Sequence, residues 1–183
     1  MLIAMGIVLA AAAAATAALI VTRRVRPQQG ELLRVRESPA VIVLGVLLWA
    51  FALGLYLYCL LVPGRLYQTA SGAGTMALFF GMAAVIGSAA LLTGFVRCTV
   101  ATEKGVLDVG MFGEMTLLGW ANIIKLKEAN GRLMLLDVKG HQCSVGGRSG
   151  ELAAFAALAQ QRLRPGVGAA VLQNMAAKTK NKK

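Results

Sequence analysis

The chain has 183 residues, of which 57% are hydrophobic and only 15% charged, with a mean hydropathy of +0.67 and a formal net charge of +11. A soluble domain carries nearer a quarter of its residues charged, so the composition points away from an ordinary water-soluble enzyme and toward a few membrane spans plus a small domain. The three cysteines, Cys59, Cys98 and Cys143, are scattered and odd in number, and His141 is the only histidine; this fits neither a disulfide framework nor a zinc site.

Leu2 to Val21 is apolar and uncharged, long enough to cross a bilayer core, with an alanine run from Ala10 to Ala15. A cleaved signal peptide needs its positive charge ahead of the apolar stretch. Here Arg23, Arg24 and Arg26 follow it, so a retained helix is expected. Ser38-Pro39 opens a second span, Ala40 to Val62, with Pro39 suited to a first helical turn. Tyr56, Tyr58 and Tyr67 lie toward its outer end, where aromatic rings favour the interface. Pro63-Gly64 stops this helix, and a third span runs from about Thr75 to Val96.

Orientation follows from the basic residues. The Thr22–Pro39 loop carries five, the Pro63–Gly74 loop one, and the part from Arg97 onward thirteen. The first loop and the C-terminal part are therefore assigned to the cytoplasm and the N-terminus to the outside, which is the alternation three spans require. No charged residue falls inside a span, which argues against an ion-coupled transporter. Ala50 and Gly54, Ala83 and Gly87, Ala84 and Ser88, and Ala90 and Gly94 are spaced four apart. Such small-residue pairs let helices approach closely in lipid, either within one chain, in a homo-oligomer, or against a larger membrane partner.

From Arg97 the pattern changes to short strands separated by turns. Strands are expected at Arg97–Thr102, Val106–Phe112, Met115–Gly119, about Ile123–Lys127, Arg132–Val138 and His141–Val145. Asn130-Gly131 is the strongest hairpin signal. A helix follows over Glu151–Leu163, with Ser149 as N-cap and Glu151 at the positive end of the dipole. Residues 165–183 form a basic tail expected to be disordered. The reading is thus an α+β membrane protein: a membrane region over 1–96, a cytoplasmic antiparallel β-domain over 97–164 closed by a helix, and the tail.

Three short motifs stand out in that domain: Thr102-Glu103-Lys104-Gly105-Val106, Leu118-Gly119-Trp120-Ala121-Asn122-Ile123, and Gly150-Glu151-Leu152-Ala153-Ala154-Phe155. Their order, with the Asn-Gly hairpin between, resembles the bacterial pleckstrin-homology-like domains found after two or more spans in small membrane proteins. The resemblance covers Val96 to Arg164. It implies a binding or scaffolding module with no active site of its own, although only six strands are counted where the full fold has seven.

The loop Gly146-Gly147-Arg148-Ser149-Gly150 ahead of a helix is a candidate anion site, but it lacks the pattern of a nucleotide loop; a plain turn is the alternative. Arg97, Gly147, Arg148 and Ser149 are the candidate contacts to an anion or lipid headgroup, and Ala50, Gly54, Gly87 and Gly94 the candidate helix-packing positions. Trp120 is expected in the core. His141 has no partner base or nucleophile in view and is given no catalytic role. Neither cofactor nor metal is expected. Basic residues flank spans without aromatic interleaving, so nucleic acid is not an expected partner. Membrane lipids, a protein partner or a second copy are. The expected function is a non-enzymatic protein of the bacterial inner membrane presenting this module; the alternative is an accessory subunit acting through its helices.

Overall fold

The structure is a computed structural model and describes residues 2–23, 30–62, 70–171 and 173–174. It divides into two compact units, residues 1–24 with 39–95, and residues 25–38 with 96–183.

The first unit holds three helices: α1 (Leu2–Arg23), α2 (Pro39–Leu61) and α3 (Ala70–Phe95), of 22, 23 and 26 residues. At 1.5 Å per residue each exceeds the roughly 30 Å of a bilayer core, and each is apolar enough to cross one. Pro39 stands at the first helical position of α2, where its missing N–H costs nothing. On α2, Gly45, Ala52 and Cys59 are buried; their seven-residue spacing makes one stripe. That stripe meets α3 closely. A Cβ on Gly45 would lie 2.8 Å from Leu91 Cγ and 3.0 Å from the Gly87 carbonyl oxygen. Thr16 on α1 donates to the Ala12 carbonyl at 2.8 Å, and its oxygen lies 2.9 Å from the Ser88 hydroxyl of α3. One hydroxyl has one proton, so Ser88 is the donor across this helix pair. The Tyr56 ring lies over Gly6, and meets Phe80 edge-on at 6.3 Å.

The second unit has seven strands: β1 (Glu31–Arg36), β2 (Cys98–Thr102), β3 (Gly105–Val109), β4 (Met115–Gly119), β5 (Ile123–Ala129), β6 (Arg132–Asp137) and β7 (Gln142–Val145), closed by helix α4 (Ser149–Arg162). All neighbours are antiparallel, in a four-stranded sheet β1-β2-β3-β4 and a three-stranded sheet β5-β6-β7. The first strand is the correction to the sequence reading. Glu31–Arg36 lies in what is expected to be a plain loop, yet it pairs with β2, Arg36 opposite Cys98 and Arg34 opposite Val100. Leu33 and Val35 face inward while Arg34 and Arg36 face out, an ordinary strand alternation. Val35 is 1% exposed. The β-unit therefore takes its first strand from ahead of α2 and the rest from after α3, rather than from 97–164 alone.

Smaller corrections follow local chemistry. The second expected strand stops at Val109, because Gly110–Glu114 is a turn in which Gly110 N–H donates to the Glu114 carbonyl at 2.8 Å and Gly113 has φ +82°. Asn130 and Gly131 take φ of +52° and +72°, as a type I′ turn demands. Trp120–Asn122 forms a short 3-10 turn. Ser149 is the first helical residue of α4, not its cap; Arg148 holds the cap position and makes no side-chain cap bond. Val167 and Val171 pack on the core, so order extends past Pro165; residues 175–183 of the expected tail lie outside the described residues.

Leu118, Ile123, Leu133, Leu135, Val145 and Phe155 are fully buried between the sheets and α4. Trp120 joins them: its Nε1 donates to the Thr102 carbonyl at 2.8 Å and its ring lies 6.3 Å from Phe155.

Candidate functional site

Three charged residues of the β-unit meet at one corner. Glu37 follows β1, Arg97 precedes β2 and Arg132 opens β6. The Glu37 side chain is only 7% exposed, bonded by Arg132 Nη2 and 3.7 Å from Arg97 Nε. Arg132 Nε also donates to Ser144 Oγ at 2.9 Å. The guanidinium of Arg132 lies directly over Gly146, where an added Cβ would come within 2.6 Å of Cζ. A side chain there would have to displace the Arg132 guanidinium from its place.

Packing of this kind accounts for two glycines of the expected anion loop, Gly146 and Gly147, while a Cβ on Gly150 would meet nothing. Gly147 packs on Val35 and on the Arg36 carbonyl. The Arg36 backbone N–H donates to Glu151 Oε2 at 3.2 Å, and that same oxygen would sit 3.3 Å from a Cβ on Gly147. A carboxylate of the chain itself thus already stands at the α4 N-terminus, where a negative group is favoured. Arg148 and Ser149 are exposed beside it, while Arg97 belongs to the Glu37 pair. The four candidate residues do not converge on one anion.

Asp108 lies on the inward face of β3, between Thr99 and Thr116 in register. Burial pushes its carboxyl above the usual range, and Arg97 pulls back against it. Its Oδ1 is buried with no hydrogen-bond partner. Burial likewise pushes up the thiols of Cys98, against the pull of Arg34 and Arg36, and of Cys143, with Asp108 adding to the effect. A raised thiol stays protonated and is a poor nucleophile.

His141 does have a partner that the sequence reading missed. Asp137, 4% exposed, accepts from the backbone N–H groups of Lys139 and His141, both at 2.8 Å, and lies 3.0 Å from His141 Nδ1. Burial pushes against ionisation of Asp137, but these bonds outweigh it and hold the carboxyl below its usual range. The arrangement ties down the β6–β7 turn, and Gly140 at φ +84° completes it.

In the helical unit the packing candidates separate into two pairs. A Cβ on Gly87 would meet Trp49 Cδ1 at 3.0 Å, and one on Gly94 would collide with Ile42. Both glycines therefore serve the α2–α3 contact. Ala50 and Gly54 are exposed, and nothing lies within 4 Å of a Cβ built on Gly54.

No protein-family model, curated protein or solved structure matches this chain. Among the described residues, no group of three His, Cys, Asp or Glu is placed to hold a metal ion. Of the residues that organise the β-unit, Glu37 and Asp108 are ones the sequence reading passed over, while Arg132 is read there only as one of the basic residues of a solvated face or a headgroup contact. The signal at Asp108 is polarity inside an otherwise apolar strand, which is ambiguous until the strands are paired, and Glu37 stands among polar residues with no such signal.

Proposed function

We propose that this is a non-enzymatic, multi-pass protein of the bacterial inner membrane, with its N-terminus outside. Its cytoplasmic pleckstrin-homology-like module binds a protein partner or anionic lipid headgroups. The observation that carries this is the seventh strand. With β1 included, the β-unit has four strands in one sheet, three in the other and a closing helix, the strand count the resemblance calls for. Buried thiols and an Asp137–His141 pair used to fasten a turn add no reactive centre to it.

A cysteine placed at Asn130, an exposed turn residue, tests the placement. The native cysteines are all buried, so labelling of intact cells by an impermeant maleimide is expected to be absent and to appear on permeabilisation. Labelling of intact cells overturns the reading. The second reading, an accessory subunit working through its helices, is favoured by the exposed Ala50–Gly54 pair on α2. On that reading Gly54→Leu releases a cross-linked membrane partner while disruption of the β-unit does not.

A further inference from the structure

All eight acidic residues of the chain lie in the β-unit. Most are engaged inside it: Glu31 with Arg34, Glu37 with Arg97 and Arg132, Glu114 on the Phe112 N–H, Asp137 on its own turn and Glu151 on the Arg36 N–H. Lys125 and Lys127 on β5 have no such partner among the described residues and are exposed. Cross-strand register puts them on one face with Met134 and Leu136 of β6 and with Gln142. These residues line a shallow, largely apolar trough of about 190 Å³. The face opposite to it, through Leu126, belongs to the core. β5 is also an edge: it bonds to β6 alone among the described strands, and Ile124 at its bulge is 51% exposed.

Each feature narrows the occupant. The edge offers backbone N–H and C=O groups at strand spacing, which another polypeptide strand can satisfy. Two lysines at i and i+2 reject a second copy of β5, because like charges opposed across a strand pair repel. They reject the chain's own lysine-rich C-terminus for the same reason. An anionic bilayer neutralises lysines but gives nothing to the edge. We propose, resting on the binding-module reading above, that β5 takes an acidic, extended segment of a protein partner as an added strand. Glutamates at alternate positions meet Lys125 and Lys127, whose own methylenes stand beside Leu136 and Met134. The apolar residue between them points to the opposite face, beside Leu126.

The test uses the full chain in phosphatidylcholine nanodiscs and a fluorescent peptide alternating glutamate and valine. Saturable binding is expected, weakened roughly tenfold or more by K125E/K127E, as loss of close charge pairs gives. A lysine–valine peptide and a glutamate–valine peptide N-methylated at alternate amides are expected not to bind. Failure of the wild-type protein to bind, equal binding by the double variant, or undiminished binding of the N-methylated peptide overturns the proposal. So does capture of phosphatidylglycerol vesicles, lost in K125E/K127E, without peptide binding; that result makes the face a membrane contact. Each of these leaves the module standing, whereas outside labelling of N130C sinks the underlying reading.

Discussion

Glu37 holds two arginines whose side chains are 28% and 33% exposed. Removing one partner of a mostly buried pair leaves the others without compensation, a larger effect than the net worth of the pair. Partial exposure of the arginines reduces it. Glu37→Ala is expected to destabilise the β-unit by about 1–3 kcal/mol in denaturant titration, with Glu37→Gln between the two. Asp108 acts with the opposite sign. Its folded carboxyl is raised mainly by burial, so the folded state prefers the protonated form. The stability from this group is complete below the unfolded value near pH 4 and is lost as pH rises through the folded value. Asp108→Asn is expected to raise the melting temperature at pH 7 and to flatten its fall between about pH 4 and 7. A melting temperature unchanged or lower at pH 7 contradicts this.

At the scale of elements, tight and open positions on the helices give opposite expectations. Gly94→Leu forces a side chain into Ile42 and is expected to cost about 1–3 kcal/mol, read as loss of thermal stability in detergent. Gly54→Leu meets nothing and is expected to stay within about 0.5 kcal/mol of the parent. Spacing alone does not separate them, because Ala50–Gly54 and Ala90–Gly94 have the same pattern, and only the rotation of each helix decides which pair is covered. The ends of α1 and α2 lie within two residues of the expected ones, since length and hydropathy fix them locally, whereas α3 begins at Ala70, five residues ahead of the expected Thr75. The hairpin at Asn130 was legible for a similar reason: its backbone conformation is a local demand. β1 was not, because six residues rich in arginine satisfy the topology rule equally well as a loop. Val35→Ala is expected to cost about 1.5 kcal/mol, the transfer value of its lost methyls; an exposed loop residue would cost almost nothing.

For the molecule as a whole, the interleaved order of segments makes a strong prediction. A fragment of residues 97–183 lacks β1 and leaves the edge of β2 and the core beside Leu33 and Val35 open. It is expected to be aggregated or unfolded. Residues 30–37 joined by a short flexible linker to 97–171 are expected to give a cooperative thermal transition. A stable fold of the shorter fragment would show that β1 is an ornament on a complete domain. The candidate site was less legible than the fold for the same reason β1 was hidden. Glu37, Arg97 and Arg132 are far apart in the chain, and their meeting depends on a strand pairing that no local pattern announces.

The origin of β1 ahead of α2 also bears on biogenesis. A ribosome releases β1 early, then must deliver both following apolar helices before Cys98 emerges to pair with Arg36. Until then the nascent strand has no mate. Pairing of the first strand with its mate thus waits until both helices have been synthesised, so the core of the module cannot close on the growing chain before then.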